Sequence, residues 1–182
     1  MATESVATPL GTAAPDFALP DVSTGETVSR DAVAAGRPLL VVFLCRHCPY
    51  VQHVKPALAA IGRDYGDRVG IAGISSNDAS RYPDDSPASL AELVREAGWT
   101  FPVLYDESQN VAHAYDAMCT PDSFLFDGDL RLAYRGRLDA TRPRSGDRAD
   151  GRELRAALDD VLAGRPAASE QHPSIGCSIK WR

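Results

Sequence analysis

The chain has 182 residues, 44% of them hydrophobic and 24% charged, which suits one domain with a real core. A formal net charge of −6 argues against a basic nucleic-acid-binding surface, and no apolar run approaches the roughly 20 residues of a membrane helix. The 4 cysteines are too few for a disulfide scaffold, which leaves redox chemistry, metal binding or simple burial.

Residues 1–14 are small and polar, and this end is expected to be loose. The start lacks the basic and apolar regions of a secretory signal, so the expected location is cytoplasmic. From Pro15 to Val28 a weak alternation around Ser23-Thr24-Gly25 predicts a β-hairpin. Leu39 to Leu44 is continuously apolar, the pattern of a strand buried on both faces. After Cys48 the period changes: Val51, Val54, Leu58, Ile61 and Tyr65 mark one face of a helix. Pro49 suits its first turn, and Pro56 is expected to kink it. Val69 to Ile74 reads as a second strand, and Ser86-Pro87 opens a helix that stops at Gly98.

Phe101 to Tyr105 predicts a third strand and Gln109 to Tyr115 a short helix. The segment Phe124 to Tyr134 reads as a hairpin turning at Asp127-Gly128. A polar loop from Asp139 to Arg148 is expected on the surface, before a last helix from about Asp150 to Gly164. Residues 165–182 form a C-terminal strap, in which Ile175, Cys177, Ile179 and Trp181 alternate with smaller or polar residues. An extended segment with one apolar face is expected to dock on the domain, along a sheet edge and near the active site. The whole chain is expected to be one α/β domain, a central mixed sheet covered by helices.

The chemistry centres on Cys45-Arg46-His47-Cys48, placed where a buried strand ends and a helix begins. There, unpaired N–H groups and the helix dipole favour a thiolate, the attacking species in disulfide exchange. Cys45 is read as the nucleophile and Cys48, one turn on, as the thiol that resolves a mixed disulfide. Arg46 and His47 add positive charge or donors nearby. Zinc sites use the same Cys-x-x-Cys spacing, and Cys45, Cys48, Cys119 and Cys177 could together form a four-thiolate set, although no metal or cofactor is expected. The acidic pair Asp84-Asp85 and the arginines at 142, 144 and 148 read as solvated faces; His53, His113 and His172 carry little signal.

The sequence resembles the thioredoxin superfamily, more narrowly its thioredoxin-like and peroxiredoxin-like (redoxin) branch. The resemblance is carried by Ala14-Pro-Asp-Phe17, Leu44-Cys-Arg-His-Cys-Pro49, Cys119-Thr-Pro-Asp122 and the ending Pro173 to Trp181. It implies a thioredoxin fold and a thiol–disulfide oxidoreductase, with Pro121 as the family's cis-proline. Thr120 and Pro121 would offer backbone groups to an extended substrate. The implied partners are a protein or small-molecule disulfide and a cellular thiol reductant, with no nucleic acid or membrane.

Departures from the family are also visible. Leu44 stands where thioredoxins have tryptophan, and the strand Leu39–Leu44 lacks the buried aspartate that moves a proton there. His47 matches the oxidising members, which implies a more oxidising disulfide. A peroxidase is the main rival reading. Pro38 fits the peroxiredoxin pattern, but Val42 replaces the expected Thr or Ser. Cys119 and Cys177 are candidate further redox thiols, Cys177 exchanging with Cys45 or Cys119; burial and packing are the alternatives.

Overall fold

The computed structural model describes residues 2–182. Its centre is β4 (Leu39–Phe43), preceded by β1 (Ala2–Glu4), the hairpin strands β2 (Ala18–Pro20) and β3 (Thr27–Ser29), and the short helix α1 (Arg30–Ala34). Every residue of β4 is buried, because β5 (Gly70–Ser75) pairs with it in parallel on one side and β8 (Asp122–Phe126) antiparallel on the other. Adding β6 (Val103–Tyr105) and β9 (Leu132–Gly136) gives a mixed sheet in the order β6-β5-β4-β8-β9.

Period-two alternation sorts β4 between two cores. Leu40, Val42 and Leu44 join Val51, Leu58 and Ile61 of α2 (Pro49–Tyr65), Leu90 and Leu93 of α3 (Pro87–Ala97), and Leu154 and Leu158 of α5 (Arg152–Leu162). Leu39, Val41 and Phe43 face the other way, towards Val33 of α1 and Val111 and Ala112 of α4 (Asn110–Ala114). On that face Phe43, Tyr115 and Phe124 meet edge-to-face, with centroids 5.4–5.8 Å apart. This is the expected α/β arrangement, a mixed sheet covered on both faces. Among the described residues, no helix is long and apolar enough to cross a membrane.

The helix signals act where they were read. Ser86 caps α3 by accepting from the N–H of Ser89, and Gly98 ends it in the left-handed region. Pro49 opens α2, which runs as one helix through Pro56 to Tyr65. The β8–β9 connection spans residues 127–131 rather than a two-residue turn; the Asp127 side chain accepts from the N–H groups of Asp129 and Arg131. Asp139, expected on the surface, is buried at 4% exposure. Its carboxylate organises the loop by accepting from Thr141, Asp150 and Gly151.

The chain ends depart most from expectation. Residues 2–4 are not loose: β1 pairs antiparallel with β10 (Ile175–Ser178) of the strap. On its other side β10 pairs antiparallel with β7 (Cys119–Thr120), giving a second sheet of order β1-β10-β7. The strap therefore lies at the loop before Pro121 and not on an edge of the central sheet.

Candidate active site

Cys45 follows β4 directly. Leu44 N–H donates to Ile74 O at 2.9 Å, which extends the pairing to the residue before the first thiol. The Leu44 side chain packs inward over Gly73, where a Cβ would stand 2.7 Å from Leu44 Cδ2. A side chain at 73 would push the tips of the Leu44 and Val103 side chains aside.

The helix begins at Pro49, as expected, one residue beyond the second thiol. Cys48, not Cys45, holds the N-cap position. Its side chain makes no capping hydrogen bond, yet the unpaired N–H groups of the first turn, Val51 among them, favour a thiolate on Cys48. Both thiols are fully buried and converge on one residue. Cys45 Sγ lies 3.2 Å from Thr120 Oγ1, and as a thiol Cys48 donates to Thr120 O at 3.1 Å. The Thr120–Pro121 peptide is cis. Pro121 also lines a small cavity with Tyr50, His53, Thr141 and Ile175.

The two cysteines share a proton unequally. Cys48 is lowered to about 5, chiefly because the Cys45 thiol is directed at its sulfur; N–H donors and the Cys177 thiol add to this against burial. Cys45 moves up: it holds the shared proton, is buried and faces the charge of Asp85.

Asp85 was expected on a solvated face and is fully buried. It lies in a single 3₁₀ turn, Pro83–Asp85, whose neighbours satisfy its carboxylate. The Arg46 N–H donates to Oδ1 at 2.7 Å, while Asn77 Nδ2 donates to Oδ2 at 2.8 Å. His47 Nδ1 is 2.6 Å from Oδ2, and its ring stacks on Tyr82 with centroids 5.8 Å apart. One ligand-type atom each of Cys45, His47 and Asp85 lie within 4.8 Å of one another. The strand before Cys45 has no acid, but Asp85 supplies one from another segment.

Other candidates are placed differently. The Arg46 guanidinium turns to α3, where it meets Ser89 O and forms ion pairs with Glu92 and Glu96, both at 2.9 Å. Its charge is committed there rather than to a thiolate. Cys119 is fully buried, contacts Pro121 O at 3.7 Å and has its pKa pushed up by burial, so it packs as a small hydrophobe. Cys177 lies opposite Thr120 in the β10–β7 register, and burial and the neighbouring Cys48 push its thiol pKa up. Its expected neighbours were Cys45 and Cys119.

Among the described residues, the group with metal-ligand geometry is Cys45, His47 and Asp85, not the four cysteines. His47 and Asp85 already satisfy each other. His53 pairs with Thr141 Oγ1 at 2.8 Å, and His113 stacks on Trp181. Sequence reasoning missed Asp85 because an acidic pair before a helix start is the ordinary signature of an exposed turn.

A search of curated proteins finds no match. Among solved structures, an uncharacterized conserved protein from Geobacillus kaustophilus is 48% identical, with TM-score 0.96 over 100% of this chain and 97% of its own. A hypothetical protein from Sinorhizobium meliloti 1021 is 42% identical, with TM-score 0.95 over 99% of this chain and 98% of its own. A secreted disulfide oxidoreductase from Mycobacterium tuberculosis, 16% identical, shares the fold with TM-score 0.61 over 79% of this chain and 94% of its own. The fold is the thioredoxin fold. A model of the AhpC/TSA family matches residues 10–135, and the chain belongs to that family.

Proposed function

We propose that the protein is a thiol–disulfide oxidoreductase whose working pair is Cys45 and Cys48. The observation that supports it is the convergence of both sulfurs on Thr120, 3.2 Å from its hydroxyl and 3.1 Å from its carbonyl. Cys45 attacks one sulfur of a protein or small-molecule disulfide and expels the other as a thiolate. The Asp85–His47 pair beside it accepts the Cys45 proton, and Thr120 Oγ1 donates to the sulfur as it becomes anionic. Cys48, already inclined to ionise, then attacks Cys45 Sγ and releases the second substrate thiol. Two electrons have moved from the pair to the substrate, and a cellular thiol restores the dithiol. Thr120 and Pro121 position the partner at this edge.

The test is a redox titration in thiol buffers with mass mapping of all four cysteines. A reversible Cys45–Cys48 disulfide is expected, with Cys45→Ser inactive and Cys48→Ser trapping mixed disulfides. Full activity in Cys45→Ser would overturn the mechanism.

A second reading is favoured by the AhpC/TSA match and by the Thr120 hydroxyl on Cys45. It supplies a hydroxyl that Val42 cannot. Here the Cys45 thiolate takes the terminal oxygen of a hydroperoxide, releasing the alcohol. Cys48 then condenses with the sulfenic acid to give the same disulfide and water. Rapid-mixing oxidation by hydrogen peroxide and by a disulfide, compared on one sample, assigns the oxidant.

A further inference from the structure

Three observations single out Cys177. It occupies the β10 position directly opposite Thr120, the residue on which the two site sulfurs converge. Cys48 Sγ reaches the Thr120 carbonyl at 3.1 Å from the facing helix start, which makes Cys177 its neighbour, and the Cys177 thiol and N–H help to hold Cys48 ionised. It is also the half-buried cysteine, whereas Cys45, Cys48 and Cys119 are all 0% exposed.

The strap is built to hold that thiol in place. Gly176 approaches β7 so closely that a Cβ would stand 1.9 Å from Thr120 O. Beyond Cys177, Ile179 N–H donates to Met118 O at 3.2 Å, and Lys180 N–H to Asn77 Oδ1 at 2.8 Å. The same Asn77 donates through Nδ2 to Asp85, which ties the strap to the acid beside Cys45. On the other flank β1 pairs residues 2–4 with residues 175–177.

We propose that Cys177 is the third member of a sulfur relay, with Cys48 exchanging between a disulfide to Cys45 and a disulfide to Cys177. The relay rests on the Cys45–Cys48 reading and deepens it by naming where the reductant enters. After substrate reduction, the Cys177 thiolate attacks Cys48 Sγ. The Cys48–Cys177 bond forms, the Cys45–Cys48 bond breaks, and Cys45 takes up the proton that Cys177 gave; no net oxidation occurs. An external thiol then attacks Cys177 Sγ and expels Cys48 as a thiolate. A second external thiol cleaves the resulting mixed disulfide, leaving Cys177 reduced and the external pair oxidised. Cys48 is the leaving group at the strap, and its low pKa favours that direction. The oxidised bond is thereby carried from a fully buried pair to the one thiol with solvent access.

The experiment treats wild type, Cys45→Ser, Cys45→Ala and Cys177→Ser with diamide, quenches in acid and maps disulfides by non-reducing peptide mass analysis. Circular dichroism checks that each variant is folded. Both Cys45 variants are expected to give a Cys48–Cys177 disulfide. Cys177→Ser is expected to form Cys45–Cys48 normally but to be reduced by dithiothreitol about tenfold more slowly or worse. Folded Cys45 variants that form no Cys48–Cys177 bond, or pair Cys48 with Cys119, would overturn the relay while leaving the dithiol reading intact. An unchanged reduction rate in Cys177→Ser would also overturn it. Failure of wild type to form Cys45–Cys48 would instead overturn the function beneath it.

Discussion

At Cys45 a hydroxyl, a second thiol and a carboxylate act on one proton. The Asp85 charge and burial hold that proton on Cys45, while Cys48 collects N–H donors and ionises first. Asp85→Asn separates the two jobs of the acid. Removing its charge is expected to lower the pH at which Cys45 is alkylated. Turnover of a disulfide should nevertheless fall by about 10²-fold, because the proton acceptor is lost. Alkylation and turnover profiles against pH check this, and faster turnover with the extra thiolate would refute the role.

The Cys48 shift has a stability consequence whose sign is fixed. A depressed pKa adds stability fully present above the unfolded value near 9 and lost as pH falls through about 5. Between those limits reduced wild type should gain stability with pH more steeply than Cys48→Ala in urea melts. Above pH 9 the Cys48 contribution is constant and both proteins lose stability as pH rises, because Cys45, Cys119 and Cys177 have raised values and the fold keeps them protonated.

Among the elements, the strap is the most exacting. Gly176→Ala places a methyl against the Thr120 carbonyl, and the strand has no room to yield without leaving β7. Hydrogen exchange across residues 175–178 should accelerate, and Cys177 should be alkylated faster, while the central sheet keeps its protection. What the sequence made legible follows from what periodicity reports. The β4 run, the α2 stripe and the Ser86 and Gly98 signals each announce a local face or end, and each element lies there. The strap's alternation announced an extended segment in the same way. Partnership across the chain is a different quantity. Nothing in Pro83-Asp-Asp-Ser states that the Arg46 N–H, Asn77 and His47 will meet Asp85. Likewise, only the β10–β7 register puts Cys177 opposite Thr120, the residue on which Cys45 and Cys48 converge.

For the molecule as a whole, one buried ion pair joins the core to the chain's periphery. Arg135 Nη2 is 3.0 Å from Asp122 Oδ2, donates to Asp116 O at 2.7 Å, and its guanidinium lies 4.4 Å from the Phe124 ring centre. It also holds Thr8 of the N-terminal segment. Arg135→Met would leave the Asp122 carboxylate buried without its cation, and a loss of about 3–5 kcal/mol is expected in denaturant titration. The paired replacement Asp122→Leu with Arg135→Met should recover much of that loss, since it removes both charges. The three-stranded sheet β1-β10-β7 carries a different kind of load. Tension applied at the two chain ends falls first on the short ladders beside β10, long before it reaches the five strands at the centre. In an optical trap the first extension should therefore be the tail peeling free at low force. That event would uncover Cys48 while the hydrophobic layers stay closed, making reagent access to the thiols a function of mechanical pull.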